Sequence, residues 1–185
     1  MSQPLAVSRV EREPRHELDL LVLDATKILA WERLLFVGCG DGWIAEEAWR
    51  RALRAYALGL DTSPELVAQA GELRGVPGNL EFRPWDGRLL PCADASFHRV
   101  ITTFALRQAE DPVAALGEMH RVLEPAGHLY LFEIDRRSYA PAGTVPAFRA
   151  ALHRAGFRDA KEVCRREVTL DDGEPASAAI VHARA

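Results

Sequence analysis

The chain predicts an α/β fold: an open, mostly parallel sheet of seven strands, with helices on both faces and one antiparallel strand near the C-terminus. Three observations predict it. From Arg33 onward short apolar runs alternate with helical patterns, an order that favours a parallel sheet covered on both faces. Gly38, Gly40 and Gly42 follow the first of these runs and precede a helix, as ligand-binding turns of such sheets do. The last two strands flank Asp171-Asp172-Gly173, a turn signal that makes them an antiparallel pair.

The elements follow in order. Residues 1–15 are polar and hold Pro4 and Pro14, so they predict a flexible N-terminal arm ahead of a single domain over 16–185. Leu18, Leu21, Val22, Ala25, Ile28 and Leu29 recur at helical spacing, which predicts an amphipathic helix over 16–30. Leu34–Val37 is an apolar run stopped by Gly38 and reads as a buried strand. A helix is predicted over Ile44–Arg54 and a strand over Ala55–Leu60. Ser63-Pro64-Glu65 opens the next helix, with proline at the first position, where its missing N–H is harmless. Leu80–Phe82 is the third strand, and Pro84–Ala95 is mostly loop by its Pro, Gly and Asp content. Phe97–Thr103 is the fourth strand. A helix starts at Asp111-Pro112 and ends near Leu123, since Pro125-Ala126-Gly127 cannot extend it. His128–Ile134 is the fifth strand, Val145–Ala155 a helix closed by Gly156, and the final strands are Lys161–Thr169 and Ser177–Arg184.

The chain of 185 residues is 48% hydrophobic and 27% charged, ordinary values for one folded domain and outside the range of disordered or collagen-like chains. The formal net charge of −4 argues against a nucleic-acid binder, which carries a basic excess. Cys39, Cys92 and Cys164 form no CxxC pair, so neither a zinc knuckle nor a redox dithiol is expected. The histidines have no metal-ligand spacing, and no metal is predicted. No apolar run approaches the roughly 20 residues of a membrane span. The expectation is a cytoplasmic protein with no membrane anchor.

The glycine turn lets backbone N–H groups approach a ligand closely. Its order is G-C-G-D-G, and Trp43 stands where a dinucleotide fingerprint has its third glycine. With Asp41 also placing negative charge there, a pyrophosphate cofactor is disfavoured. Asp61 ends the second strand, where a carboxylate can accept both ribose hydroxyls of a nucleoside or simply cap the next helix. Asp86, in Pro84-Trp85-Asp86-Gly87, can accept from the exocyclic amine of a base or form a turn of its own. Cys39 has no base beside it in sequence, which speaks against a nucleophile.

The segments LLFVGCGDG, ALGLDTSPEL, PWDGRLLPCADASFHRV and RVLEPAGHLYLFEI, in this order, resemble the class I S-adenosylmethionine-dependent methyltransferases. More narrowly they are similar to the small ubiquinone/menaquinone-biosynthesis-like methyltransferase domains. The resemblance spans about 32–135 and implies a Rossmann-like sheet, S-adenosylmethionine as cofactor and S-adenosylhomocysteine as product. It implies that Gly38, Cys39, Gly40 and Gly42 hold the methionine part and that Asp61 binds the ribose with Thr62 beside it. Asp86 would contact the adenine amine, with Gly87 and Arg88 nearby. Thr102 and Thr103 would lie beside the methionine tail and the methyl group.

The chain departs from the pattern at Phe36, where the family often has an acid, and at His98, where it usually has aspartate. Both departures bear on cofactor affinity. The function expected is methyl transfer to a small-molecule acceptor by direct displacement, with Glu133, Asp135, Gln108, Arg107 and Tyr139 as candidate bases. Only Asp135–Thr144 separates the fifth strand from the next helix, so the acceptor site is expected to be open or completed by a homodimer or another partner. The alternative is a degenerate domain of this fold that binds without catalysis; a nicotinamide oxidoreductase fits the glycine spacing least.

Overall fold

A computed structural model describes residues 15–52, 54–106, 109–135, 145–169 and 175–185. The expected arm, apart from Arg15, lies outside the described residues, as do the Asp171-Asp172-Gly173 turn and most of Asp135–Thr144. The elements are α1 (Arg15–Thr26), β1 (Arg33–Val37), α2 (Trp43–Arg51), β2 (Tyr56–Asp61), α3 (Pro64–Arg74), β3 (Leu80–Pro84), β4 (Phe97–Thr103), α4 (Pro112–Val122), β5 (Leu123–Asp135), α5 (Val145–Arg154), β6 (Arg158–Thr169) and β7 (Pro175–Arg184). One seven-stranded sheet has the order β3-β2-β1-β4-β5-β7-β6. Strands β1 to β5 pair in parallel, and β7 runs antiparallel to both β5 and β6. The predicted fold, with its single reversed strand, is the one observed.

Strand alternation sorts the core into two layers. Leu35, Val37, Leu58 and Val100 meet Leu116, Met119, Phe148 and Leu152 of α4 and α5. On the other face Leu34, Phe36, Ala57 and Ile101 meet Val22, Leu23, Ile44 and Ala48 of α1 and α2. The strand order reverses between β1 and β4, so a crevice opens at their carboxyl ends.

Two boundaries differ from expectation for stated reasons. Helix α1 stops at Thr26 rather than residue 30. The Arg99 guanidinium donates to the Thr26 carbonyl at 2.7 Å, which satisfies one of the helix's terminal acceptors, and Leu29 beyond it is exposed. Strand β5 begins at Leu123 rather than His128, because Leu123 already pairs with Phe97 before the register shifts to Arg99 and His128. Ala126, at φ 66°, turns the chain within that bulge.

Candidate active site

The turn after β1 is built from backbone. Gly38 has φ 79° and Gly42 φ 80°, the left-handed region where a side chain is strained. A Cβ at Gly38 would lie 2.9 Å from the Ala105 Cβ, and one at Gly42 would lie 2.6 Å from the Phe82 ring. The N–H groups of Gly38 and Cys39 both donate to the Leu60 carbonyl, at 2.8 and 3.0 Å. The turn is thus fastened to the end of β2.

Asp61 completes that fastening. One carboxylate oxygen accepts from the Gly40 N–H at 2.8 Å and the other from the Ser63 N–H at 3.0 Å. It does not cap α3, because the Ser63 hydroxyl accepts from the Leu66 N–H. A carboxylate has about four acceptor positions, so two remain for a pair of hydroxyls. The Asp61 carbonyl accepts from the Trp85 N–H at 2.9 Å, which brings the loop after β3 alongside.

Two clefts meet at Gly38. The first is lined by Gly38, Asp61, Thr62, Trp85, Gly87, Ala105 and Ala109. The second is lined by Asp19, Gly38, Cys39, Asp41, Ile44, Thr103 and Phe104. Thr103 donates through Oγ1 to the Gly38 carbonyl at 3.0 Å. The first cleft suits a nucleoside, with a carboxylate for ribose hydroxyls and an indole wall. The second is bordered, among the described residues, by the glycine turn, Thr103 and the Asp19 and Asp41 side chains. Together they fit S-adenosylmethionine, a nucleoside joined to a chain bearing a sulfonium and an ammonium.

The loop carrying Gly87 is pinned from α4. Arg121 donates to the Leu90 and Cys92 carbonyls and to Asp94, and Glu118 accepts from the Leu90 N–H. The Arg121 guanidinium beside Glu118 holds that carboxyl below its usual range.

The other candidate residues take these places. Asp86 is exposed and lines neither cleft; its Oδ1 accepts from the Arg88 and Leu89 N–H groups of its own turn. Thr102 is fully buried, on the opposite strand face from Thr103, so only Thr103 borders a cleft. Cys39 is buried, and burial with the nearby Asp61 and Asp41 charges pushes its thiol up, against nucleophilic reactivity. Glu133 is buried and accepts from the Leu106 N–H at 3.3 Å, so it holds the loop after β4. Arg107, Gln108 and Tyr139, and the Asp135 side chain, lie outside the described residues.

The two departures from the family pattern lie away from both clefts. Phe36 is buried in the layer under α1, and His98 accepts the Arg33 N–H at the opposite end of the sheet. Sequence reasoning passed over Asp19 and Trp85. Asp19 shares a helical face with Val22 and Leu23, a signal present in the spacing.

The comparisons agree with this geometry. A family model described as a methyltransferase domain matches residues 35–131. A demethylmenaquinone methyltransferase of Renibacterium salmoninarum is 33% identical over 125 residues, 68% of this chain and 51% of that protein. A malonyl-[acyl-carrier protein] O-methyltransferase of Erwinia billingiae is 34% identical over 98 residues, 53% of this chain and 37% of that protein. The chain spans about half the length of the first curated relatives it matches. The structure of an S-adenosylmethionine-dependent methyltransferase from Aquifex aeolicus superposes with a TM-score of 0.71 at 20% identity, over 92% of this chain and 93% of that one. Among the described residues no helix is long and apolar enough to cross a membrane. The glycine turn, its Asp61 tether and the family match over β1 to β5 place this chain in the class I S-adenosylmethionine-dependent methyltransferase domain family.

Proposed function

We propose that the protein is a cytoplasmic enzyme that moves a methyl group from S-adenosylmethionine to a small-molecule acceptor. The observation that carries this reading is the Asp61 carboxylate, held on the Gly40 N–H at the strand-order reversal. Bound at the two clefts, S-adenosylmethionine supplies an electrophilic methyl on a positive sulfur for direct displacement by the acceptor's nucleophile. Asp61 and Thr62 take the ribose, and Trp85 and Gly87 wall the base. Asp86 stands beside it at the loop surface and contributes through the turn it caps. Gly38, Cys39, Gly40 and Gly42 form the backbone cradle for the amino-acid chain, with Thr103 and Phe104 bordering the methyl. Holding acceptor and methyl in line contributes about 7–11 kcal/mol to the rate, so orientation and exclusion of water carry the catalysis.

The acceptor proposed for first trial is a demethylated quinone, because the Renibacterium relative is a demethylmenaquinone methyltransferase. The short Asp135–Thr144 connection supports an acceptor site that is open or completed by a second subunit or partner. The test is transfer of radiolabel from methyl-labelled S-adenosylmethionine to a short-chain demethylmenaquinone and to a panel of carboxylic acids and phenols. A labelled small-molecule product supports the reading. Cofactor binding with no transfer to any acceptor would favour the non-catalytic alternative.

A further inference from the structure

We propose that the indole N–H of Trp85 donates a hydrogen bond to a ring nitrogen of the base held in the first cleft, so that this side chain helps to select the cofactor's nucleoside. The inference rests on the cofactor reading above. Two independent observations meet in one residue. Trp85 lines the first cleft together with Asp61, Thr62 and Gly87. It is only 6% exposed, and its Nε1 is buried with no hydrogen-bond partner among the described residues. A buried donor left without an acceptor is costly, and folded proteins keep few of them. An acceptor carried in by a ligand removes that cost, and the cleft that Trp85 lines is where one arrives.

The sheet sets the indole beside the ribose carboxylate. Glu81 and Arg83 of β3 pair with Leu58 and Leu60 of β2. Trp85, two residues on, continues the same face and packs in the layer that holds both leucines. Its backbone N–H donates to the Asp61 carbonyl at 2.9 Å. A ribose held on the Asp61 carboxylate therefore brings its base to the indole. The loop that follows is anchored before any ligand arrives, by Arg121 on the Leu90 and Cys92 carbonyls and by Glu118 on the Leu90 N–H, so little ordering is left for binding to do. Asp86, the residue expected to read the base, spends its Oδ1 on the Arg88 and Leu89 N–H groups instead. The indole is a donor only, so it calls for an acceptor, and a purine base presents unsubstituted ring nitrogens that accept.

The test is calorimetric titration of the wild type and Trp85→Phe, both checked for native circular dichroism. The ligands are S-adenosylhomocysteine and its 1-deaza, 3-deaza and 7-deaza analogues, in each of which one ring nitrogen of the base is replaced by C–H. The wild type should bind at least one analogue about fivefold or more weaker than the parent, and Trp85→Phe should bring one such ratio to about one, since phenylalanine keeps an aromatic wall without the donor. Ratios that all persist in Trp85→Phe, or a wild type that binds all four ligands alike, would overturn the assignment while leaving the cofactor reading intact. If the wild type binds none of the four, the cofactor reading fails and the assignment with it. Should Trp85→Phe not fold, the Trp85 indole N–H resonance of the wild type carries the same test. It should move downfield with S-adenosylhomocysteine and not with the analogue that binds weakly; equal movement with both would contradict the proposal.

Discussion

The two ends of the sheet are both polar, and they are built on opposite plans. At the amino ends of the strands, Arg99 is buried against Glu32, donating at 2.6 Å, and also donates to the Thr26 carbonyl and the Tyr130 hydroxyl. Beside it His128 and His182 share a ring-to-ring hydrogen bond of 2.9 Å. This network spends its hydrogen bonds within the protein. At the carboxyl ends, Asp61 and the glycine turn use backbone N–H groups to aim a carboxylate that keeps acceptor capacity, next to two clefts. The difference teaches where to expect stability and where to expect binding: a closed network fixes the fold, and an anchored but incompletely used group meets a ligand.

Substitutions at the two ends should therefore separate cleanly. The largest effect belongs to Arg99→Leu, which leaves Glu32 buried without its ion-pair partner. Urea denaturation should show a loss of about 3–5 kcal/mol, while the protein that remains folded binds S-adenosylhomocysteine as before. Gly42→Ala comes next. Its left-handed backbone costs about 1–2 kcal/mol, and its methyl would meet the Phe82 ring, so both stability and affinity should fall. Affinity undiminished in Gly42→Ala would break the claim that this turn forms the site. Arg121→Ala should cost about 1–2 kcal/mol of stability and weaken ligand binding several-fold by freeing the loop that carries Gly87; unchanged binding would show that the loop needs no anchor.

The smallest effect is a pH slope at the amino ends. Burial pushes His182 down to about 4, with the nearby His128, Lys161, Arg184 and Arg99 charges adding to the shift, and His128 is lowered as well. Between the ordinary histidine range and about 4 the unfolded chain binds more protons than the folded one. Stability should thus be full near neutrality and fall as pH drops through that window. His182→Gln should flatten the melting-temperature profile over pH 4–6.5. A slope as steep as the wild type's would move its source elsewhere.

Much of this was legible in the sequence, and the limits have physical causes. Strand and helix alternation, the reversed strand and the Gly38–Gly42 turn are local patterns, read from a few adjacent residues. Asp61 stands out because Ser63 is available to cap α3 in its stead. The end of α1 was not legible, since the backbone turns left-handed at Lys27 and the group that takes up the Thr26 carbonyl, Arg99, lies 73 residues away. Asp19 falls on the buried face of α1 by its spacing, but that spacing does not say which end of the sheet the helix carries it to. Asp86 reads equally well as a ligand or as a turn former, and only the loop's folded path puts its Oδ1 on two backbone N–H groups. Thr102 and Thr103 could have been separated by strand alternation alone, because adjacent residues face opposite sides.

The central claim is that the carboxyl ends of β1, β2 and β4 hold the cofactor through Asp61. The most direct measurement is calorimetric titration of the protein with S-adenosylhomocysteine, repeated on Asp61→Ala. The account predicts saturable binding with 1:1 stoichiometry by the wild type and a loss of about tenfold or more in the variant, whose fold is retained. Equal affinity in the two proteins, or no binding by the wild type at millimolar ligand, would contradict it.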